Sequence, residues 1–387
     1  MADDVAIVGA GPAGAWAAWR LTRLGARVTI FDGSHPREKP CGGGVTKRAL
    51  DLVRPALAGV SLPSVTIAAA RFEVDDISAD VPLAEDPRPD GGLAVFSRAA
   101  FDAALLDAAV RAGATHVPDR VTDVNMAPGG VELRTAARVH RAAWLIGADG
   151  ANSLVRRRLA RPFARSQLSV ATGYFVHGAS APEIVVRFET DPSGYIWSFP
   201  RPDHLALGIC AEANGAQPGP LRARVAKWAS RRGLATGARL QPYSWPIPSL
   251  RTSDWEHERA TGERWILVGD AAGLVDPLTR EGIFFALQSA EFAADALGAA
   301  RDGPRMYEAH LRSAIYGELS HAARLKAGFY QRPFLRLLIE ALTHSARVRG
   351  VMADLIAGRQ PYATLKRRLL ATLEFGLAWQ LLKTWRG

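Results

Sequence analysis

Short apolar segments, glycines and helical periodicity follow one another at the start of the chain. Residues 5–8 are a continuous apolar run, the pattern of a strand buried on both faces, and they lead into Gly9-Ala10-Gly11-Pro12-Ala13-Gly14. Residues 15–24 have helical periodicity, and a second apolar run at 28–31 ends at Asp32. This order predicts a βαβ unit whose glycines lie at the first strand-to-helix turn.

Alternating and apolar segments predict the elements that follow. A strand-like region covers 61–95, with alternation at 65–74, and a helix covers 101–112 with Arg98 just before it. Strands at 131–133 and 144–146 precede a helix at 154–159. Alternation with turn signals predicts antiparallel strands at 168–176, 183–189, 195–199 and 205–210. The remaining predictions are a helix at 222–231, a buried strand at 265–268, a long helix at 282–297 and a helical tail over 301–387.

The first glycine-rich turn has the features of a dinucleotide-binding site. Gly9 permits the tight turn, Gly11 lets a pyrophosphate approach the backbone, and Gly14 lets the helix pack on the strand. The N-terminus of that helix offers unpaired N–H groups to the phosphates. Asp32 is spaced to accept hydrogen bonds from a ribose diol, a feature that a loop without a ligand leaves unexplained.

Two further turns carry candidate chemistry. The loop at 35–44 contains Arg37, suited to pairing with a pyrophosphate, and Gly42 and Gly43, which let backbone approach a planar ring. A flexible surface loop is the alternative. Asp149 lies in a Gly-Ala-Asp-Gly segment where a strand leads into a helix, a place that suits a phosphate or a ribose. A plain connecting turn is an equal alternative.

Composition and charge narrow the class of protein. The 387 residues are 48% hydrophobic, which excludes intrinsic disorder and allows two or three domains. The formal charge of +10 favours phosphate groups, acidic lipid headgroups or nucleic acid as partners, and nucleic acid is the weakest because no nucleic-acid motif matches. The two cysteines, Cys41 and Cys210, are too few for a disulfide framework or a four-ligand metal site.

Targeting and membrane signals are few. The N-terminus carries no cleavable signal, so we expect a cytoplasmic protein, and no apolar run reaches the ~18 residues that cross a bilayer. Apolar residues at helical spacing mark the end of the tail: Leu365, Leu369, Leu373, Leu377, Leu381 and Trp385. Such a helix either lies on the inner face of the membrane or packs on the body of the protein.

Three separated segments fit one scheme: the N-terminal glycine motif with its acid, the mid-chain Gly-Ala-Asp-Gly, and a late Gly269-Asp270. The combination resembles the FAD-dependent oxidoreductases of the p-hydroxybenzoate-hydroxylase-like fold. In that class the late Gly-Asp holds the ribityl and pyrophosphate part of FAD, and the start of the following helix faces the flavin ring. The resemblance implies these cofactor-binding residues: Gly9, Gly11, Pro12, Ala13, Gly14, Asp32, Arg37, Cys41, Gly42, Gly43, Arg98, Asp149, Gly269, Asp270, Gly282 and Ile283.

A narrower resemblance lies in the segment Tyr195-Ile196-Trp197-Ser198-Phe199-Pro200 with the later Gly208. It closely resembles the YxWxFP…GxG signature of the geranylgeranyl reductase family, and the Cys-Gly loop and the segment 277–283 match the same family. The resemblance extends over residues 1 to about 300. Two positions depart from it, because Cys210 replaces the second glycine of the GxG and Arg280 stands where many members carry glycine.

The resemblance implies an enzyme that saturates C=C bonds of a geranylgeranyl-type polyprenyl lipid with hydride from reduced FAD. Tyr195, Trp197 and Phe199 alternate along a strand and share one face, which in this context favours a slot for a prenyl chain over a sandwich core. These three and Gly208 are the candidate substrate-binding residues. Tyr195, Cys41 and Trp197 are the candidate catalytic residues, and the proton comes from Tyr195, from Cys41 or equally from water.

The electron donor and the reaction class stay open. No second GxGxxG is present, so either NAD(P)H reaches the flavin without a domain of its own or a reduced ferredoxin docks on the basic surface. An FAD monooxygenase acting on a hydrophobic substrate is the competing prediction. A flavoprotein that only binds prenyl lipid or transfers electrons is the third.

The predicted fold is α/β, with a Rossmann-like FAD-binding domain interleaved with an antiparallel β-rich substrate domain and followed by a helical C-terminal region. The FAD-binding domain is discontinuous and comprises 1–60, 93–165 and 255–300. The substrate domain comprises 61–92 and 166–254, and the helical region comprises 301–387.

Overall fold

The computed structural model describes residues 4–83, 93–299 and 302–372. The strands within these ranges are β1 (Asp4–Val8), β2 (Arg27–Phe31), β3 (Gly44–Thr46), β4 (Ser64–Ile67), β5 (Ala69–Val74), β6 (Ile77–Pro82), β7 (Leu93–Phe96), β8 (Thr115–Val117), β9 (Asp123–Ala127), β10 (Gly130–Arg134), β11 (Val139–Ala142), β12 (Trp144–Gly147), β13 (Leu168–His177), β14 (Ile184–Thr190), β15 (Ser193–Pro200), β16 (His204–Glu212), β17 (Arg239–Pro248) and β18 (Trp265–Leu267). The helices are α1 (Pro12–Arg23), α2 (Lys47–Val53), α3 (Arg98–Arg111), α4 (Leu154–Leu159), α5 (Pro218–Arg231), α6 (Thr252–Trp255), α7 (Ile283–Gly298), α8 (Gly303–Leu311), α9 (Gly317–Phe329), α10 (Arg332–His344), α11 (Ala346–Ile356) and α12 (Tyr362–Leu370).

A parallel sheet in the order β18-β12-β1-β2-β8 forms the first layer of the core. Strand β1 is buried on both faces, as its continuous apolar run predicts, and helix α1 packs against β2, α3 and α7. Gly9, Gly147 and Gly269 lie at the carboxyl ends of β1, β12 and β18, which are neighbours in the sheet. The three turns singled out in the sequence therefore meet at one edge, where α/β sheets bind ligands.

A second sheet of seven strands, β17-β13-β16-β15-β14-β5-β6, is antiparallel except for the pair β14–β5. Its side chains alternate between two faces. In β16, Leu205 and Leu207 pack toward helix α5, whereas Ala206 and Cys210 point to the opposite face together with Trp197 of β15. The α/β class with antiparallel sheets and a helical C-terminal region is confirmed.

Two strand predictions need correction. The region 65–74 is two strands, since β4 joins β3 and β7 in a small separate sheet while β5 joins the seven-stranded sheet. Strand β17 was missed because Pro242 and Pro246 interrupt its pattern. Both prolines are tolerated because β17 lies at the edge of its sheet, where one side of the strand needs no ladder hydrogen bonds.

The C-terminal helices pack on the second sheet. Helices α10 and α11 lie against β6, and they share a buried apolar cluster with β5 and β14. Leu365 and Leu369 of α12 are buried beside Val351, so this part of the apolar row packs on the protein. Leu373, Leu377, Leu381 and Trp385 lie outside the described residues. Among the helices that are described, none is long and apolar enough to cross a bilayer.

Candidate active site

The turn between β1 and α1 leaves an open backbone surface. Gly9 has φ of +104°, and a β-carbon there would lie 2.3 Å from the carbonyl oxygen of Ala148. A β-carbon at Gly14 would lie 1.9 Å from the carbonyl oxygen of Gly9, so the helix can approach the strand only because Gly14 has no side chain. Gly11 precedes α1, and no side chain of the described residues caps the helix. Its first N–H groups are therefore available to an anion.

The carboxylate of Asp32, predicted to bind a ribose diol, is surrounded by protein donors. It accepts hydrogen bonds from the backbone N of Ala10 at 2.9 Å, from the backbone N of Ser34 at 2.7 Å and from Nδ1 of His35 at 2.7 Å. Burial raises the pKa of Asp32, but the hydrogen bond and charge of His35, together with the hydrogen bonds from Ala10 and Ser34, outweigh burial and hold this pKa well below its ordinary value. A ribose diol would have to share this carboxylate with Ser34 and His35.

His35 connects Asp32 to a buried ion pair. Its Nε2 lies 3.5 Å from Oδ2 of Asp102, and Asp102 accepts hydrogen bonds of 2.9 and 2.8 Å from Arg98. Arg98 is the first residue of α3, not the residue before the helix, and it is 2% exposed while Asp102 is fully buried. Arg98 and Cys41 both line the cavity. The contacts form a continuous chain from Asp32 to Arg98.

The two cations of the loop at 35–44 have different partners. The guanidinium of Arg37 lies over the ring of Trp245, 4.8 Å from its centroid, and so faces the substrate sheet. Nζ of Lys39 lies 2.9 Å from Oδ2 of Asp270. The structure therefore brings Lys39, rather than Arg37, to the late Gly-Asp turn.

The glycines of the same loop bring it against the aromatic strand. A β-carbon at Gly42 would lie 2.9 Å from the ring of Phe199, and Gly43 has φ of +87°, which favours glycine. Sγ of Cys41 accepts the N–H of Gly43 at 3.3 Å. Cys41, Gly42 and Gly43 all line one cavity, so this loop forms part of its wall.

The late Gly-Asp turn and the start of α7 form a neighbouring wall. Gly269 has φ of +56°, and a β-carbon there would lie 3.4 Å from Cβ of Ala13 and 3.1 Å from Cβ of Ala286. Gly282 precedes α7, and within the described ranges no side chain caps that helix either. Gly282 and Ile283 line the cavity, which places the positive end of a second helix dipole there.

Asp149 has a structural partner of its own. Its Oδ2 accepts hydrogen bonds from the backbone N of Leu154 at 2.6 Å and of Val155 at 3.2 Å, which fixes the start of α4. Asp149 is not among the residues that line the cavity. Its geometry is that of a connecting turn, and contact with a cofactor stays a prediction.

The cavity has a volume of about 280 Å³ and joins these turns to the seven-stranded sheet. Its cofactor-side wall includes Pro12, Lys39, Cys41, Gly42, Gly43, Arg98, Asp270, Gly282 and Ile283. The apolar wall includes Ala70, Phe72, Ile184, Val186, Phe188, Tyr195, Trp197 and Phe199. One continuous space therefore connects the glycine-rich turns to an aromatic and aliphatic surface.

The aromatic residues of β15 share the cavity face, as their alternation predicts. The hydroxyl of Tyr195 donates a hydrogen bond to the carbonyl oxygen of Thr279 at 2.9 Å, and burial raises the pKa of Tyr195 well above 10. Trp197 lies opposite Gly208 of β16, where a β-carbon would lie 2.2 Å from the indole. Gly208 thus makes room for Trp197 and does not itself line the cavity.

Sequence reasoning missed the contribution of the C-terminal helices to this cavity. Phe329 and Tyr330 at the end of α9, with Met352, Leu355 and Ile356 of α11, complete its apolar wall. Their sequence carries only ordinary helical periodicity, which does not say what the apolar face covers. The packing of α11 on β6 brings the side chains of α11 to the site, and Phe329 packs on the ring of Phe188 in β14.

Sequence reasoning also did not select Glu281 as a site residue. It lines the cavity, accepts a hydrogen bond from Oγ1 of Thr46 at 2.8 Å and is paired with Arg48. Burial raises the pKa of Glu281 above its ordinary value, against the opposing charge of Arg48. The sequence signal that could have identified Glu281 as a site residue was its position within the segment 277–283, which matches the family.

These residues fit FAD. The uncapped start of α1 suits a pyrophosphate, and a β-carbon at Gly11 would contact only the ring of His35, at 3.6 Å, which leaves the surface above the turn open. Lys39 adds a cation beside Asp270. The uncapped start of α7 and the Cys-Gly loop both face the cavity, where a flat ring has room.

Comparison with known proteins defines the class. Residues 2–312 match a family described as an FAD binding domain, so the chain is an FAD-dependent oxidoreductase of this fold. It is 30% identical over 359 residues to a digeranylgeranylglycerophospholipid reductase of Methanothrix thermoacetophila, covering 85% of this chain and 88% of that protein. It is 32% identical over 317 residues to a menaquinone reductase of Mycolicibacterium smegmatis, covering 76% of each. The chain belongs to the geranylgeranyl reductase family.

A solved structure has the same fold. A geranylgeranyl bacteriochlorophyll reductase-like protein from Thermoplasma acidophilum superimposes with a TM-score of 0.79, covering 96% of this chain and 99% of that chain at 23% identity. The shared fold includes the C-terminal helices, since the coverage extends over nearly the whole chain.

Proposed function

We propose that this protein saturates C=C bonds of a polyprenyl lipid of the geranylgeranyl type with hydride from reduced FAD. The observation that carries the proposal is the continuity of the cavity. It runs from the turns that fit FAD to the face of β15 that holds Tyr195, Trp197 and Phe199. The names of the relatives, which are reductases of prenyl-bearing molecules, support the same class of substrate.

The apolar wall of the cavity suits a prenyl chain. Phe72, Val186 and Phe188 from the sheet and Leu355 from α11 contribute hydrocarbon surface and no charged group. Burial of apolar surface stabilises such a complex by roughly 25 cal/mol per Å². The same apolar wall limits the access of water to the cavity. Limited access of water favours reduction of an isolated alkene, which accepts hydride poorly unless a proton is delivered at the same time.

The bound FAD would supply the hydride, and the protein must supply or position the proton. Tyr195 carries a proton on Oη and is oriented by the carbonyl oxygen of Thr279. Cys41 is oriented through its Sγ by the N–H of Gly43. Both side chains line the cavity, so we propose one of them as the donor, with a water molecule as the remaining alternative.

Electrons reach the flavin from outside the chain. We propose NAD(P)H or a reduced ferredoxin as the donor, and the net charge of +10 supports an acidic protein partner. A cytoplasmic protein, free or bound to the inner face of a membrane, fits a lipid substrate.

The test is anaerobic. FAD-loaded protein is reduced with dithionite and incubated with geranylgeranyl diphosphate, with a geranylgeranylated glycerophospholipid and with menaquinone, and mass spectrometry measures the gain of hydrogen. We expect two hydrogens per reduced bond, and slower reduction by Trp197→Ala with FAD absorbance retained. Val110→Ala, on the exposed face of α3, is the control. In a parallel aerobic reaction with NAD(P)H, an oxygenated product with O₂ uptake would show a monooxygenase. Failure to convert any of the lipids in either reaction would show a binding flavoprotein.

A further inference from the structure

Arg280 places a cation in the wall of the cavity, beside its apolar part. Its backbone has φ of +63°, a conformation that glycine adopts more easily than arginine. Nη1 donates a hydrogen bond to Oγ of Ser249 at 2.6 Å, but the buried Nε finds no acceptor among the residues that the structure describes. A buried donor without an acceptor costs free energy unless a ligand satisfies it.

A second cation stands directly beside the first. Lys326 of α9 donates a hydrogen bond to the same Ser249 oxygen at 3.0 Å and to Glu212, whose side chain is half exposed, at 2.8 Å. Burial lowers the pKa of Lys326, and the positive charge of Arg280 lowers it further. Two cations thus share one neutral oxygen.

The neighbouring carboxylates do not neutralise Arg280. Glu212 is paired with Lys326. Asp276 is buried, and its oxygens accept hydrogen bonds from two backbone N–H groups and from the hydroxyl of Tyr362. Across the described parts of the chain, no carboxylate makes an ion pair with Arg280. The site therefore retains the capacity to bind an anion.

The surroundings of Arg280 separate it from the turns that fit the pyrophosphate of FAD. Ser249 accepts hydrogen bonds from Arg280 and from Lys326, and the hydroxyl of Tyr195 contacts the carbonyl oxygen of the adjacent Thr279. Tyr195, Ser249 and Lys326 belong to the seven-stranded sheet, the segment after it and the end of α9, respectively. An anion at Arg280 would thus lie on the substrate side of the cavity.

We propose that Arg280, supported by the charge of Lys326, binds the phosphate end of the substrate, and that the substrate is a prenyl chain carrying a phosphate or diphosphate ester. The prenyl part of this inference rests on the proposed function, whereas the anion site does not. A guanidinium binds phosphate oxygens with paired, charge-assisted hydrogen bonds. The chain would then extend from Arg280 along the aromatic face of β15.

The first experiment measures anion binding without turnover. FAD-loaded protein, in which the pyrophosphate site is filled, is titrated with inorganic diphosphate, and the melting temperature is recorded for wild type and for Arg280→Gly. Glycine accepts φ of +63°, so this variant keeps its backbone. Arg120→Gly removes the same charge from an exposed loop and is the matched control. We expect about tenfold weaker binding or more in Arg280→Gly and no change in the control. An equal stabilisation of wild type and Arg280→Gly would overturn the proposal.

The second experiment compares substrates. The ratio of kcat/KM for geranylgeranyl diphosphate to that for geranylgeraniol is expected to fall about tenfold or more in Arg280→Gly. In a parallel series, a geranylgeranylated glycerophospholipid replaces geranylgeranyl diphosphate, and its kcat/KM is divided by that for geranylgeraniol. The series in which this ratio falls in Arg280→Gly shows whether the bound group is a diphosphate or a lipid phosphate. An unchanged ratio in both series overturns the anion site while alkene reduction still supports the enzyme. Absence of reduction, with diphosphate binding lost in Arg280→Gly, overturns the function and retains the anion site.

Discussion

The indole of Trp197 occupies the space that a side chain at Gly208 would fill. The two residues are paired across β15 and β16, and a β-carbon at Gly208 would lie 2.2 Å from Cζ2 of Trp197 and 2.5 Å from Oη of Tyr243. The orientation of Trp197 toward the cavity thus depends on a glycine in the next strand. The glycine at 208 in the family-like signature is therefore explained by the space that Trp197 needs.

Gly208→Ala is expected to displace the indole and to slow alkene reduction while FAD stays bound. Overpacking of a filled site also costs about 1–3 kcal/mol of unfolding free energy. Turnover, flavin absorbance and urea unfolding measure the three quantities. Gly219→Ala, in α5 with no atom within 4 Å of the added carbon, is the control. Normal turnover by Gly208→Ala would contradict the role given to Trp197.

Asp102→Ala is expected to destabilise the fold by about 3–5 kcal/mol, because it leaves the buried guanidinium of Arg98 without its partner. Urea denaturation of both proteins measures the difference. Asp4→Ala breaks an equally well-formed but exposed pair with Arg27, and we expect less than about 1 kcal/mol from it. Similar losses in the two variants would show that burial does not set the strength of the Arg98–Asp102 pair.

His35→Gln is expected to change the pH dependence of stability. Burial lowers the pKa of His35, but its hydrogen bonds to Asp102 and Asp32 outweigh burial and raise the pKa above 6.5. A pKa raised in the folded state stabilises the fold at low pH, and this contribution is lost as pH rises through the folded value. The stability difference between wild type and His35→Gln should therefore shrink as the pH rises above 6.5.

Melting temperatures across that range measure the effect of His35→Gln. His257→Gln, at an exposed histidine, controls for the substitution itself. Wild-type and His35→Gln curves that remain parallel across the range would rule out the ionic role of His35.

Leu355→Trp is expected to shorten the apolar part of the cavity. The larger side chain enters from α11, so reduction of a geranylgeranyl substrate should fall more than reduction of the shorter geranyl analogue. Steady-state rates for the two chain lengths measure this selectivity, and flavin absorbance checks the fold. Val110→Trp, at a surface position, is the control. An equal loss for both chain lengths would argue against α11 as a wall of the prenyl site.

The local features of the fold were predictable from the sequence. The apolar run before Gly9 predicted β1, and alternation predicted that Tyr195 and Trp197 share a face, because both patterns follow from the geometry of a single strand. Glycines identified the turns, since positive φ at Gly9 and Gly269 restricts the residue type. The parallel sheet then brings those turns to one edge.

Contacts between distant segments were decided by the tertiary structure. Arg37 stacks on Trp245 while Lys39 reaches Asp270, although both cations lie in one loop and have similar charge. Neither periodicity nor spacing distinguishes such partners, because many side chains in the chain carry the complementary chemistry. The same holds for the closure of the cavity by α9 and α11, since an amphipathic helix specifies that it buries one face and not which surface it covers.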